Sequence, residues 1–474
     1  MDRLLVDIFQ FFQFFFIAYV GGINSIYFLL MILGYFALRH EHIALNRTER
    51  NALIKSRLVP AVTVLSPAFN ESATVRESVR ATLGLEYPNL EVIVINDGST
   101  DDTLNILIKE FKLYRSSRQF VGDIPTKRIR GIYESRELRL LVIDKENGGK
   151  ADSLNAGINA ARTPLVTAID SDSLLETNAL YYVVGPFLRD ETTIATGGIV
   201  RVVNGCDVKH GRVQNVRVPR SMLARFQIVE YLRAFLGGRI AFSFMNSLLL
   251  VSGAFALFRR DAVLEVGGFR TSTVGEDMEI IVRLHHHFRK QRKKYRIIFV
   301  PDPVCWTEVP ENLKTLHRQR NRWQRGTVES LSLHMEMCCN PRYGLAGMFG
   351  FPYCFAFEMI GPLVELFGYV FTIAGLFFGF ISWQTAALFF FVSVVFGILL
   401  SISAILLDEF TLRRYPSVKD VFILFYAALL ENFGFRQLLT LWRVQGLFDG
   451  LRQKQGWGVM ERKGFQRYPE HRRT

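Results

Sequence analysis

The sequence predicts an α/β fold, a doubly wound and mostly parallel sheet held between N- and C-terminal transmembrane helices. Three observations carry this. Between Pro60 and about Tyr343 short aliphatic runs alternate with helical patterns; those runs are nearly continuously apolar; and longer apolar stretches stand before and after the region. Continuous apolar strands joined by helices are buried on both faces, as parallel strands are. An apolar run of about 20 residues is enough to cross a bilayer.

The elements follow in chain order. From Ile8 to Leu38 the chain is nearly all apolar and reads as one tilted spanning helix. It is too long for a cleaved signal and has no basic leader. The flank before it, "MDRLLVD", is roughly neutral, whereas the flank after it carries Arg39, Arg47, Arg50, Lys55 and Arg57. The positive-inside rule then puts the N-terminus outside and the following domain in the cytosol, so the glycosylation triplets at Asn46 and Asn70 read as chance. "AVTVLSPAF" reads as the first strand, followed by Val75, Val79 and Leu83 at helical spacing. "LEVIVIND" is the second strand and enters the turn "DGSTDDT". Further strands fall at "LRLLVID" and "LVTAID", with the helix "KADSLNAGINAAR" between them. Between about Arg201 and Leu250 amphipathic stretches suggest interfacial helices. After Tyr343 the chain turns apolar again: an interfacial half broken by Pro352 and Pro362, a span ending near Ile381, and a second from Thr385 to Leu407. Val421 to Leu430 is short for a span and reads as interfacial or re-entrant. The resulting division is a membrane helix (1–40), a cytosolic domain (41–343), membrane and interfacial helices (344–442) and a basic tail (443–474). Three spans, N-terminus out and C-terminus in, satisfy every flank.

Composition narrows the function. The chain has 474 residues, a net charge of +13 and 41 phenylalanines. A basic balance suits nucleic acid, anionic lipid or an anionic substrate, and the long apolar segments, with no nucleic-acid module in sight, set the first aside. Five cysteines, without zinc-type pairing or a disulfide framework, fit a reducing compartment.

Ligands of such sheets bind at the carboxyl ends of the strands, and the polar residues there are the candidates. Asp97, followed by Gly98, reads either as a capped turn or as a carboxylate that accepts from a base or ribose. Asp170 and Asp172 are two apart, so in extended chain they share a face. They read as a solvated acidic loop or as hard ligands for Mg²⁺ or Mn²⁺ shared with phosphate oxygens. Gly148 and Gly149 before Lys150 and a helix make an anion site, although the spacing is not that of a P-loop. Glu276 and Asp277 after Gly275 are helix-start acids or a general base. Three successive histidines, His285 to His287, point in different directions on a helix and make a poor metal site. "RQRNRWQRG", from Arg318 to Gly326, packs four arginines around a tryptophan.

Taken in order, these pieces resemble the family 2 inverting glycosyltransferases, especially the membrane-integrated branch of cellulose, hyaluronan and poly-N-acetylglucosamine synthases. "SPAFNE", with Pro67 and Glu71, is similar to the family's opening strand and nucleotide-binding turn. "NDGSTDDT" is similar to its first aspartate motif, "DSDS" to its metal-binding D-x-D, "GED" to its Thr-Glu-Asp and "QRNRW" to its Q-x-x-R-W. The resemblance implies a GT-A-like, Rossmann-related fold. It implies nucleotide-sugar contacts for Pro67, Glu71, Asp97, Lys150 and Asp170, and a metal ligand in Asp172. It further implies a base in Asp277 beside Glu276, and diphosphate or acceptor contacts for Gln319, Arg322 and Trp323. Arg318, Arg320 and Arg325 are left as interfacial charge. Gly275 departs from the family's threonine.

The expected reaction is metal-assisted direct displacement, moving a UDP-linked sugar of N-acetylglucosamine or glucose type to a β-linked polysaccharide. Transfer of one sugar to a lipid acceptor, or an inactive nucleotide-binding scaffold, are the rival readings. The expected partners are the donor, a glycan or lipid-linked acceptor, membrane lipid and companion subunits, but no nucleic acid. The expected place is a bacterial inner membrane.

Overall fold

The computed structural model describes residues 3–44, 59–118, 122–170, 173–209, 211–415 and 417–452. Its centre is a ten-stranded sheet. In chain order the strands are β1 (Val62–Ala68), β2 (Leu90–Asp97), β3 (Tyr114–Arg115), β4 (Ile129–Glu134), β5 (Leu140–Lys145), β6 (Leu165–Ile169), β7 (Ser173–Leu175) and β8 (Thr193–Val202). A separate hairpin, β9 (Asp207–Lys209) and β10 (Arg212–Asn215), precedes β11 (Phe255–Arg259) and β12 (Arg296–Thr307). The order across the sheet is β3-β4-β5-β2-β1-β6-β11-β8-β12-β7. Pairing is parallel from β5 through β2 and β1 to β6, and again between β8 and β12, whereas β4, β7 and β11 run against the rest. The expected doubly wound, mostly parallel sheet is therefore present.

The four strands legible in the sequence form its middle. Val92, Ile93, Val94 and Ile95 of β2 are fully buried, as are Val62 and Val64 of β1 and Val142 and Ile143 of β5. Each such side chain contributes roughly 1.5–3 kcal/mol. The chain leaves β1 toward β2 and β5 on one side and later returns to β6 on the other. The carboxyl end of β1 is thus the switch point at which open α/β sheets bind ligands.

The reversed strand β11 matters most for the site. Phe255, at its start, pairs with Ile169, at the end of β6. Its opposite direction brings the preceding Ser252, Gly253 and Ala254 to the same edge as Asp97 and Asp170. The segment expected to hold interfacial helices, Arg201 to Leu250, divides differently. Its first part is the end of β8 and the β9–β10 hairpin, and only Met222–Phe244 is helical. Residues such as Val202, Val203 and Cys206 in that first part are buried in protein, so their apolar pattern served the sheet edge.

The first helix, Arg3–Ala44, and the helical stretch Trp383–Thr411 are long and apolar enough to cross a membrane; Ala346–Met359 and Gly361–Phe377 form a pair bent by 42° that can count as a third span. The bend falls at Ile360–Pro362, because proline has no amide hydrogen and clashes with the preceding turn. Val418–Leu430 has only 13 residues. The helix Phe435–Leu451 runs through the expected boundary at residue 443. It packs closely on the helix Leu313–Ser332: a Cβ on Gly446 would lie 2.8 Å from Asn321 O, and one on Gly450 3.0 Å from Val328 Cβ.

Sheet and membrane helices are also joined by a buried ion pair. Arg201 of β8 meets Asp408, near the end of the last long apolar helix, with both side chains 3% exposed. Removing one member of such a pair leaves a charge without compensation. Asp408→Ala is expected to destabilise the protein by about 3–5 kcal/mol, read as a fall in melting temperature in detergent. The double variant Arg201→Met, Asp408→Leu is expected to recover most of that loss.

Candidate active site

The carboxyl ends of β1, β2, β5 and β6 open into a cleft of about 1520 Å³, lined by Pro67, Glu71, Asp97, Lys150, Asp170, Glu276, Asp277, Gln319, Arg322 and Trp323 among others. Ten of the eleven residues singled out from the sequence therefore share one cavity. The eleventh, Asp172, lies outside the described residues, and so does Ser171.

Asp97 is the most constrained of them. Its carboxylate is 4% exposed. Oδ1 accepts from Lys145 Nζ at 2.5 Å and from the Gly148 amide at 3.0 Å, while Oδ2 accepts from the Gly149 amide at 2.8 Å. Lys145, fully buried at the end of β5, also reaches Asp152 at 2.7 Å. Two carboxylates sharing one ammonium satisfy the pairing that a buried charge requires. They pin the glycine loop to the sheet, and Gly148 must be glycine because a Cβ would lie 2.6 Å from the Asp152 carboxyl. Lys145 belongs to none of the motifs. A lysine closing the apolar run "LRLLVID" was the available signal, since a charge following a buried strand needs a partner.

Lys150 is the hub of the acidic wall. Its Nζ lies 2.5 Å from Asp170 Oδ1 and 3.4 Å from Glu276 Oε1, and it donates to Gly253 O at 3.2 Å. Burial lowers its proton affinity, but the Asp170 and Glu276 carboxylates more than offset this and raise it above the ordinary lysine range. Glu276 is pushed up by burial against the opposing pull of Lys150. Asp277 is oriented by main chain: Oδ2 accepts from the Gly253 amide at 3.0 Å and Oδ1 from the Met278 amide at 2.9 Å. Gly253 thus serves both Lys150 and Asp277. A Cβ there would fall 2.7 Å from Asp277 Oδ2, a second position that sequence reasoning missed.

The helix Leu313–Ser332 forms the opposite wall. A Cβ on Gly275 would meet Gly326 Cα at 2.6 Å, and one on Gly326 would meet Gly275 Cα at 2.8 Å. The glycine that stands in place of threonine is therefore half of a backbone contact between the two walls. Gln319 faces the cleft, its Oε1 buried with no hydrogen-bond partner among the described residues. Trp323 is 42% exposed at the cleft, its ring 6.4 Å from that of Tyr231.

Two arginines differ from expectation. Arg320 and Arg325 are 3% and 5% exposed, so neither is interfacial charge. Arg320 pairs with Glu230 at 2.9 Å and lies 4.2 Å from the Trp323 ring centroid, holding that ring through a cation–π contact. On a helix clasped from two sides both are enclosed by neighbouring elements rather than set at the surface, Arg320 within the cleft wall. The three histidines do diverge: His285 bonds Tyr295 Oη at 2.6 Å and Leu248 O, His286 meets Glu336, and His287 meets Glu265 at 3.0 Å. Among the described residues no group of three metal-type side chains converges.

The cleft does not end at the sheet. Its lining continues into Glu358, Glu365, Arg436 and Arg443 on helices of the membrane half, and Glu431 in the turn after Val418–Leu430.

Residues 60–326 match the family described as "Glycosyltransferase like family 2", and residues 273–452 match a chitin synthase family. The poly-beta-1,6-N-acetyl-D-glucosamine synthase of Staphylococcus aureus (strain COL) is 30% identical over 324 residues, 68% of this chain. That of Staphylococcus epidermidis is 28% identical over 309 residues, 65% of this chain. The alignments span 66% and 63% of those relatives' lengths. Among solved structures, a Pyrobaculum calidifontis mannosyltransferase in complex with GDP-Man and Mn²⁺ aligns at 19% identity and a TM-score of 0.49, covering 89% of this chain and 99% of that one. S. aureus TarS 1–349 with UDP-GlcNAc aligns at 14% identity and a TM-score of 0.38, covering 80% and 92%.

Gly326→Val is expected to force the two walls apart, since a Cβ at this position already meets the Gly275 main chain. The expected cost is about 1–3 kcal/mol of stability, with a larger loss of activity, checked by melting temperature and turnover on the same preparation.

Proposed function

The chain belongs to glycosyltransferase family 2, and we propose that it moves a sugar from a nucleoside diphosphate donor to a β-linked glycan, with inversion, at the membrane face. The observation that carries this reading is the single cleft uniting Asp97, Asp170, Glu276 and Asp277 with Gln319, Arg322 and Trp323 and running on between the membrane helices. The relatives are named as synthases of an N-acetylglucosamine polymer, which supports an N-acetylglucosamine donor, and we take the nucleotide to be UDP.

The residues divide the work by position. The nucleoside end of the donor lies over Pro67, Glu71 and the Asp97 turn, whose glycine loop is held by Lys145 so that its backbone can approach a ligand closely. The diphosphate lies toward Lys150 and Arg322, whose planar guanidinium matches phosphate oxygens in a fork. When it leaves, its growing charge meets cations already fixed in place, which is the most effective form of electrostatic stabilisation. Asp277 accepts the proton of the acceptor hydroxyl as that oxygen attacks the anomeric carbon, and the Gly253 and Met278 amides aim its carboxylate beforehand. Glu276, held by Lys150, supports that geometry.

A divalent ion suits this wall because its donors are hard carboxylate oxygens and the Asp170 side chain is 32% exposed toward the cleft. Asp172 and Asp170 would hold Mg²⁺ or Mn²⁺, which would neutralise the diphosphate.

Trp323 offers a flat apolar face to an acceptor sugar. The polar lining beyond it gives a growing chain somewhere to go, which favours a polymer over a single addition. A bacterial inner membrane with the catalytic domain in the cytosol is the setting this reading requires.

The purified protein, incubated with a panel of nucleotide sugars and Mg²⁺ or Mn²⁺, is expected to release nucleoside diphosphate and build oligomers; failure of every donor to give release would overturn the reading. Asp277→Asn is expected to reduce release by about 10²–10⁴-fold with donor binding retained in equilibrium dialysis. Trp323→Ala is expected to shorten products, as sized by gel electrophoresis, more than it slows the first transfer.

A further inference from the structure

The basic side chains lining the cleft are answered by neighbours almost without exception. Lys150 meets Asp170 and Glu276, Arg233 meets Glu431 at 2.6 Å, Arg320 meets Glu230, Arg436 donates to Asn432 Oδ1 at 2.9 Å and Arg443 meets Glu358 at 2.9 Å. Arg322 is engaged as well. Arg239 differs. Among the described residues it makes no hydrogen bond or ion pair, its Nη1 is buried without a partner, and its guanidinium carbon lies 4.0 Å from the Phe235 ring centroid.

The backbone around it is fixed. Arg233–Arg239 is a widened, π-type stretch within the Met222–Phe244 helix, a distortion frequent at functional sites. It lies against the first membrane helix at glycines: a Cβ on Gly34 would fall 2.9 Å from Leu236 O, and one on Gly237 3.1 Å from Met31 Cε. Arg239 cannot retreat by moving its helix. Burial holds its proton affinity down, to about 10, so it still carries its charge at neutral pH. The carboxylate whose charge acts on it is Asp277, which is itself bound to two amides, and Glu230, Glu358 and Glu431, which also line the cleft, are each paired with another arginine. Arg239 is half-buried, with its Nη1 out of reach of water, and the contact with Phe235 compensates only part of what the guanidinium loses in hydration. An anion arriving in the cleft would supply the rest.

We propose that Arg239 is an acceptor-side anion site, taking a phosphate ester carried by the acceptor where the cleft meets the membrane. The proposal rests on the transfer reading above and names the acceptor's chemistry. A phosphate ester fits because the guanidinium fork matches its oxygens. The wall around the site, with Phe235, Phe242 and Leu249, suits the apolar part of a molecule entering from lipid. A lipid phosphate and a phosphorylated glycan end share this chemistry.

The test uses the full chain in nanodiscs, without donor, titrated with dodecyl phosphate, dodecanol, a β-linked trisaccharide 1-phosphate and the unphosphorylated trisaccharide, with bound probe counted by native mass spectrometry. Arg239→Gln is expected to weaken binding of a phosphorylated probe by about tenfold or more relative to its neutral counterpart, and Arg239→Lys by less, because a lysine keeps the charge and loses the fork. Loss confined to dodecyl phosphate assigns a lipid phosphate, and loss confined to the trisaccharide phosphate assigns a glycan end. Equal loss for charged and neutral probes, or wild-type binding in Arg239→Gln, overturns the proposal. If the glutamine variant does not fold, the lysine variant decides, by the presence or absence of that selective loss. Because no sugar is transferred in this assay, failure of every donor to release nucleotide would overturn the transfer reading and leave the binding result to stand by itself.

Discussion

The site depends on one close contact, Gly275 against Gly326. Asp97, Asp170, Glu276 and Asp277 stand on the sheet side, and Gln319, Arg322 and Trp323 stand on the helix Leu313–Ser332. Only a pair of residues without side chains lets the two main chains come within van der Waals reach. The same helix is clasped from its other side through Gly446 and Gly450. A chain of small residues thus couples the edge of the soluble sheet to the helices of the membrane half, with no bulky side chain between them to yield. That explains why a glycine can stand where the family's threonine is expected: the hydroxyl is absent, but the approach it would obstruct is used.

The electrostatics of the cleft follow a related economy. Asp97 and Asp152 share Lys145, and Asp170 and Glu276 share Lys150. In each case two carboxylates hold one ammonium, so each cluster keeps negative character while its members stay fixed. The first cluster is buried and sets the shape of the loop. The second is open to the cleft and can exchange partners with a ligand. The two arrangements flank the end of β1, one buried and one exposed to the cleft, a difference that residue type alone does not reveal.

Much of this was legible in the sequence, and its limits have physical causes. Strands β1, β2, β5 and β6 are buried on both faces, and their aliphatic runs announce them. The motif residues at their ends follow from chain direction. The second half was harder because β11 and β12 take their places by non-local pairing, and "FALFR" has no period that distinguishes a reversed central strand from a helix turn. Gly253 was missed for that reason: its importance comes from strand direction, which appears only once β11 lies beside β6. Arg320 and Arg325 were misplaced because a cluster of arginines is usually a solvated face, and only the surrounding helices show that alternate members point inward. Arg239 carries no motif at all, and its interest lies in what it fails to touch.

The pair between Arg201 and Asp408 has a bearing on how the molecule is made. The pairings among β1 to β6 draw only on the first 170 residues, but β8 carries a guanidinium whose counter-charge comes 207 residues later in the chain. Until Asp408 is in place with its helix, the end of β8 holds a charge without its partner. Completion of the catalytic domain is therefore tied to completion of the membrane half. A chain interrupted before its last long apolar helix would keep Arg201 without its counter-charge.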